Sequence, residues 1–347
     1  MSGASSVVVR RVELCYALFG AEASQPAKAS LTSLQGRMGV CASPASIRCA
    51  ICGLLWRPGG RLRPVFPECP ECLWKKVASP QFRSSNRGAA WSRMIQRALD
   101  EAEGDAERVA LARGLRGNVW SAMRCPHANY VVQKMIAVMR PPSLLFILDE
   151  LLAENELAVQ RAARNPYACR ILQRLLEHWP QRHLRGVVEN LLVDAVRLSV
   201  HRFANYVVRR MAESATDDDC ARLTLILAAE AHFVGARDSG SAVLAEILKR
   251  QPWGKEQHEL ARSLLATDGL VAKMAQQRQG HRAVLAMREV FQWHSAEYDS
   301  LHAQLRAYKE VLRSTRYGRM VMSSFGARAA RPVVVPRRPL NVGEEEG

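Results

Sequence analysis

The chain has 347 residues, of which 48% are hydrophobic and 24% charged, so it can bury a large core and is not disordered as a whole. It contains no run of about 18 apolar residues, which excludes a membrane-spanning helix. The net charge of +16 favours a polyanionic partner, because neutralised phosphates release their counterions. We therefore expect a folded, soluble protein that binds nucleic acid rather than an anionic membrane.

Residues 1–40 are predicted to form a flexible leader, rich in Ser and Ala and poor in acids. Its apolar stretch, VVVRRVELCYALFG, is short and interrupted by charges, unlike a secretory signal, although an organelle transit peptide is left open. Residues 1–90 hold twelve Lys/Arg and four Asp/Glu, which amounts to half of the net charge in a quarter of the length. The N-terminal quarter is therefore predicted to be a basic module.

Residues 41–80 form a Cys-rich module. Cys49-x2-Cys52 and Cys69-x2-Cys72 are separated by sixteen residues, a spacing that suits one tetrahedral zinc ion held by four thiolates. Such a closed ligand set predicts structural rather than catalytic zinc, and the module resembles a zinc ribbon. Thiolate ligands also indicate a reducing compartment, the cytoplasm or the nucleus. Whether the module caps the next domain or contacts RNA is left open.

Residues 81–326 are predicted to be helical. Seven segments share one pattern, in which apolar residues at i, i+1, i+4 and i+5 form a stripe along a helix. We call these segments template helices and number each from the residue two before its first apolar pair, at steps of 36 to 40 residues. The starting residues are Ser92, Asn129, Cys169, Asn205, Ser241, His281 and Arg319.

A repeat of this length is typical of stacked helical units, each of which buries its neighbour's apolar face. Two further amphipathic segments lie between successive template helices, so each unit is expected to contain three helices. The pattern therefore predicts an all-α solenoid of about seven three-helix units, followed by a disordered Pro/Arg tail at 327–347.

Positions 1, 2 and 5 of each template helix lie on a different face from the buried pair at positions 3 and 4. In the first three units, each trio offers a small or amide group and a Gln for one base edge, with an Arg or Tyr that can stack on the base. One such trio would usually be ordinary solvated surface, but three in succession at the repeat period argue against coincidence. The trios are Ser92/Arg93/Gln96, Asn129/Tyr130/Gln133 and Cys169/Arg170/Gln173.

These segments, SRMIQRALD, NYVVQKMI and CRILQRLLEH, resemble the base-reading helices of Pumilio (PUF) family RNA-binding proteins, and the resemblance extends over residues 85–326. It implies a right-handed crescent whose concave face binds single-stranded RNA antiparallel to the chain, with one base per unit. In that family Ser/Cys-Arg-Gln trios read adenine and Asn-Tyr-Gln trios read uracil. The resemblance thus implies 5′-A-U-A-3′, read by the units at 169, 129 and 92.

The later units depart from this pattern. Asn205 and Tyr206 keep positions 1 and 2, but Arg209 replaces the Gln with a group that only donates hydrogen bonds, so uracil and phosphate contact both stay open. The remaining trios fit no base assignment, and a scaffold role is favoured. They are Ser241/Ala242/Ala245, His281/Arg282/Leu285 and Arg319/Met320/Ser323.

The predicted function is therefore binding of single-stranded RNA, with mRNA 3′ untranslated regions as targets, in post-transcriptional regulation. A monomer is expected, and regulatory protein partners are left open. Loosely specific RNA binding in ribosomal RNA maturation and a protein-interaction scaffold are the alternatives. No phosphate-cradling Gly loop, HExxH or GxSxG motif is present, so no enzyme activity is predicted.

Overall fold

The computed structural model describes residues 47–48, 55–56, 86–102 and 104–326. Two short strands, β1 (Ile47–Arg48) and β2 (Leu55–Trp56), pair antiparallel. They flank the segment that carries the first CxxC pair. All four predicted zinc ligands, like the leader and the tail, lie outside the described residues, so the zinc module stays a prediction.

From residue 86 onward the described chain is helical, and none of these helices is long and apolar enough to cross a membrane. A 3₁₀ turn covers Pro141–Ser143. The helices are α1 (Asn86–Glu101), α2 (Asp105–Arg113), α3 (Val119–Met123), α4 (Ala128–Val138), α5 (Phe146–Glu154), α6 (Ala158–Arg164), α7 (Ala168–His178), α8 (Gln181–Val193), α9 (Ala195–Val200), α10 (Ala204–Ser214), α11 (Asp217–Ala229), α12 (Ala231–Gly235), α13 (Asp238–Lys249), α14 (Lys255–Ala266), α15 (Leu270–Gln276), α16 (Gly280–Val290), α17 (Ala296–Ala307), α18 (Lys309–Ser314) and α19 (Arg316–Gly326).

All seven predicted template helices are present, as α1, α4, α7, α10, α13, α16 and α19. A long helix and a short helix precede each template helix from α4 onward. The described residues therefore contain six complete three-helix units, with α1 as a seventh template helix at their N-terminal end. This arrangement confirms the predicted all-α solenoid.

The units stack in two layers. Each template helix packs against the next along the whole series from α1 to α19, while the long helices α8, α11, α14 and α17 pack in succession on the other side. The predicted apolar pairs form the core between them: Val131, Val132, Ile171 and Leu172, for example, are fully buried. Burying each such side chain contributes about 1.5–3 kcal/mol of favourable free energy, which stabilises the packing between the layers.

The junction between short helix and template helix differs along the chain. The residue before position 1 is Ala in the units at 129, 169 and 205 and Gly in the last three units. A Cβ at Gly280 would lie 2.3 Å from the carbonyl oxygen of Met274, and the two equivalent glycines have the same restriction. The last three template helices therefore approach the backbone of their short helices too closely for any side chain at this position. The glycines are Gly240, Gly280 and Gly318.

Candidate nucleic-acid interface

The two asparagines at position 1 are buried and bonded within their own units. Asn129 is 2% exposed, and its Nδ2 donates to the carbonyl oxygen of Cys125 at 2.7 Å. Asn205 makes the same contact with the carbonyl oxygen of His201 at 2.8 Å. In both units the amide thus secures the first turn of the template helix.

Ser92 and Cys169 at position 1 are buried as well. The Cys169 thiol donates to the carbonyl oxygen of Pro166 at 3.5 Å. Burial raises the pKa of this thiol, so it remains protonated and uncharged at neutral pH. Position 1 therefore presents little polar surface to solvent in any of the three complete trios.

The glutamines at position 5 bond to position 1 of the same helix, as their i, i+4 spacing predicts. Nε2 of Gln133 donates to Oδ1 of Asn129 at 2.9 Å. In the neighbouring units, Nε2 of Gln96 donates to Oγ of Ser92 at 3.0 Å and Nε2 of Gln173 to the carbonyl oxygen of Cys169 at 2.9 Å. These contacts orient the half-buried glutamines, whose Oε1 atoms accept no hydrogen bond from the described residues.

The side chains at position 2 form an exposed row across four units, alternating between Arg and Tyr: Arg93, Tyr130, Arg170 and Tyr206. Tyr130 is 55% exposed and Tyr206 is 44% exposed. Cζ of Arg170 lies 5.6 Å from the ring centroid of Tyr206, within cation–π range. Exposed aromatic and guanidinium planes at one per unit are the groups on which unpaired bases stack.

Arg209 at position 5 contacts the next unit instead of its own position 1. Its Nη2 donates to Oε1 of Glu246 at 3.0 Å, and its Cζ lies 5.9 Å from the ring centroid of Tyr206. The guanidinium group therefore stands at the end of the row of stacking side chains. It cannot supply the hydrogen-bond acceptor that a Gln would supply there.

In the last three units, the trio positions mostly serve the protein itself. Ala242 and Ala245 are buried, and Oγ of Ser241 donates to the carbonyl oxygen of Gly235 at 2.9 Å. The His281 ring stacks on Tyr317 with centroids 4.8 Å apart. These contacts agree with the scaffold interpretation.

A capping residue four positions before position 1 was not predicted from the sequence. Oδ1 of Asn165 accepts two backbone N–H groups at the start of α7, both at 3.0 Å. Nδ1 of His201 does the same for α10 at 3.2 and 3.3 Å, and Oγ1 of Thr315 accepts one N–H for α19 at 3.1 Å. Burial, with the nearby charges of Arg164 and Arg202, lowers the pKa of His201. Asn and Thr are frequent cap residues, so the repeat alignment contained this signal at two of the three positions.

The central units match a known family of repeats. The family model of the Pumilio-family RNA-binding repeat matches residues 123–152, 163–192 and 194–225. These segments contain the trios that start at Asn129, Cys169 and Asn205, whereas Ser92 and the template helices of the last three units lie outside them. The matched repeat is an RNA-binding unit, not a catalytic domain.

Individual relatives agree with this match. Pumilio homology domain family member 4 of Saccharomyces cerevisiae is 26% identical over 149 residues, which cover 42% of this chain but only 16% of that protein. The crystal structure of PUF-8 in complex with PBE-RNA superposes with a TM-score of 0.61, at 19% identity, over 74% of this chain and 72% of that one. The Puf3 RNA-binding domain bound to a Cox17 RNA 3′ UTR recognition sequence (site A) gives 0.56, at 18% identity, over 68% and 70%. The solenoid fold is thus shared with both structures.

Proposed function

We propose that the template-helix face binds single-stranded RNA with one base per unit, and that the units at 169, 129 and 92 read 5′-A-U-A-3′. The observation that carries this proposal is the exposed Arg/Tyr row beside glutamines that are held in place by their own helices. The three segments that match an RNA-binding repeat support it. So do the structural neighbours, since the structures of PUF-8 and of the Puf3 RNA-binding domain are both complexes with RNA.

The geometry divides the work within a trio. A base would insert between successive side chains of the row, such as Tyr130 and Arg170, and stack on both. The Gln side chain, with one acceptor and one amide donor, would meet the edge of the base. Because Asn129 is buried, we propose that its main role is to orient Gln133 and that Asn129 itself makes little contact with the base.

Magnitudes limit the specificity that three units can provide. A good base-edge pair or stacking contact contributes about 1–3 kcal/mol, and the cost of association reduces the sum. Three reading units therefore favour modest sequence preference on top of electrostatic affinity. We propose a role in post-transcriptional regulation of mRNA in the cytoplasm or nucleus, through 3′ untranslated regions, by a monomer.

The net charge of +16 and the units without a trio favour a second candidate, a loosely specific RNA-binding protein in ribosomal RNA maturation. The two functions share the RNA-binding face and differ in sequence preference. A protein-interaction scaffold that binds no RNA is the third candidate.

Structural zinc on Cys49, Cys52, Cys69 and Cys72 is proposed as well, and elemental analysis of the purified protein would check it.

A titration with short RNAs separates these candidates. The full chain is titrated at two salt concentrations with RNAs that contain AUA and with scrambled controls. We expect tighter binding of AUA, and loss of the preference for U at the middle base in Tyr130→Ala/Gln133→Ala. Tyr308→Ala is the matched control, because Tyr308 is exposed at the junction of α17 and α18, outside the Arg/Tyr row.

Each result has a definite meaning. Equal binding of AUA and scrambled RNA, with a steep dependence on salt, would favour the loosely specific candidate. Absence of binding at both salt concentrations would favour the scaffold. An unchanged preference for U in the double variant would contradict the residue assignment while leaving RNA binding intact.

A further inference from the structure

Three cations from three successive units surround one carboxylate on the template-helix face. Oε1 of Glu246 lies 3.0 Å from Nη2 of Arg209, 3.8 Å from Nζ of Lys249 and 3.9 Å from Nη2 of Arg282. One negative charge faces three positive charges, so the cluster carries a net charge of about +2. We call these four side chains the Glu246 cluster.

The cluster arises from an inversion in the repeat pattern. In α7 and α10, position 6 is Arg and position 9 is Glu, and the two pair within one helix: Arg174 with Glu177 at 2.7 Å and Arg210 with Glu213 at 2.6 Å. In α13 the order is reversed, because position 6 is Glu246 and position 9 is Lys249. The reversed carboxylate lies between α10 and α16 and attracts the arginines of both neighbours.

Within the cluster the carboxylate is the most buried group, and Lys249 and Arg282 are the most exposed ones. The Glu246 side chain is only 15% exposed, whereas those of Lys249 and Arg282 are 42% and 41% exposed. The nearby carboxylate of Glu213 is already paired with Arg210. Burial, together with the charges of Arg282 and Arg209, lowers the pKa of Lys249 although Glu246 opposes the change. An incoming anion would therefore meet more cations than carboxylates on this surface.

The Glu246 cluster continues the row of stacking side chains. The Tyr206 ring lies between Arg170 at 5.6 Å and Arg209 at 5.9 Å. A strand that stacks on Tyr206 and proceeds toward α13 would therefore reach the cluster next. The α13 helix offers no side chain that can read a base, because Ala242 and Ala245 are buried. The phosphates of the strand are therefore the groups that remain for the protein to bind at this point.

We propose that Arg209, Lys249 and Arg282, held in place by Glu246, bind backbone phosphate of the RNA on the 5′ side of the bases read by the first three units. Guanidinium groups suit phosphate oxygens because they donate two parallel hydrogen bonds, and such bonds fix the register of the strand without reading its sequence. This inference rests on the proposed function, including the antiparallel orientation that the family resemblance implies.

The test compares the full-length wild type with Lys249→Gln/Arg282→Gln. Both are titrated with AUA that is extended on either the 5′ or the 3′ side by the same sequence, chosen so that no trio is expected to read it. We expect the variant to bind the 5′-extended RNA about tenfold more weakly, the lower end of the range for hydrogen bonds to charged groups. The slope of log K against log salt should fall by about 0.7 for each phosphate that the variant no longer binds. Binding of the 3′-extended RNA should not change, and thermal melting checks that the variant folds.

Lys255→Gln/Arg262→Gln is the matched control, because it removes the same charge from α14 in the opposite layer. An equal loss in this control, or no loss in the cluster variant, would overturn the proposal. A loss confined to the 3′-extended RNA would overturn the 5′ placement. Displacement of RNA by micromolar inorganic phosphate would indicate a small-anion site instead. If wild type binds neither RNA, the proposed function itself fails, which is a distinguishable result.

Discussion

Asn165 and His201 occupy the same capping position in neighbouring units, but only the imidazole can titrate. Both accept backbone N–H groups at the start of a template helix. The cap of α10 requires an unprotonated Nδ1, and the pKa of His201 is lowered from its ordinary value of 6.5. Its contribution to stability is therefore fully present above about pH 6.5 and is lost as the pH falls through the lowered pKa.

We therefore expect His201→Asn to remove part of the acid sensitivity. The wild type should lose more thermal stability between pH 7.5 and pH 5 than the variant, since Asn keeps the cap without titrating. His201→Ala should cost about 1 kcal/mol at pH 7.5, the usual cost of removing a cap. Thermal unfolding at the two pH values measures both effects. Identical pH dependence in wild type and His201→Asn would rule out His201 as the titrating cap.

Arg209 is the single residue that separates the trio at 205 from the complete trio at 129. Nδ2 of Asn205 donates to a backbone carbonyl at 2.8 Å, as that of Asn129 does at 2.7 Å. Oδ1 of Asn205 therefore points where a Gln at position 209 can donate to it, as Gln133 does to Asn129. One substitution is enough to rebuild the reading geometry.

Arg209→Gln should therefore add a preference for uracil at the base 5′ to AUA. We expect UAUA to bind about fivefold more tightly than AAUA in this variant, which corresponds to the lower end of the range for one base pairing. Overall affinity should fall, because the Glu246 cluster loses one cation. Competition binding with the two RNAs measures the preference. Equal affinity for UAUA and AAUA would show that position 5 does not read the base.

At the scale of elements, the Ala-to-Gly change before position 1 divides the template helices into two groups. The three units with Ala include two complete trios and the partial trio at 205, whereas the three with Gly have none. The short-helix backbone approaches each glycine so closely that a Cβ would overlap a carbonyl oxygen. The two groups therefore differ in backbone packing as well as in exposed side chains.

Gly280→Ala should destabilise the protein by about 1–3 kcal/mol, since the carbonyl of Met274 must move to admit a methyl group. Gly186→Ala in α8 is the matched control, because its Cβ would meet only the tip of the Leu152 side chain, at 3.0 Å. Because alanine has a higher helix propensity than glycine, Gly186→Ala should leave the stability of the protein unchanged or raise it by up to about 1 kcal/mol. Denaturant unfolding compares the two variants. Equal effects would contradict the close approach at Gly280.

The apolar stripe made the template helices predictable, because a period near 3.6 within helices and a period of 36 to 40 between them specify both position and stacking. The pairing of positions 1 and 5 was predictable for the same reason. The burial of position 1 was not, since it depends on the short helix that covers the first turn. The Glu246 cluster was also missed, because its two arginines lie 37 and 36 residues from Glu246 along the chain and reach it only when the units stack.

At the scale of the whole molecule, helix packing joins each unit to the next one along the series. The ion pairs of the long-helix layer follow the same rule, since Arg222 pairs with Glu189 and Arg262 with Glu297 in adjacent units. Stability in such an array is close to a sum of unit terms and neighbour terms. Local unfolding is therefore expected to start at an end and proceed unit by unit.

The two-layer stacking also gives a long ligand a mechanical role. An RNA strand lying across several template helices would connect units that otherwise contact only their immediate neighbours. The length of the bound strand would then determine how many interfaces between units it stabilises, and hence how much of the solenoid resists local unfolding. A short RNA would stiffen only the section it covers, leaving the remaining units free to open.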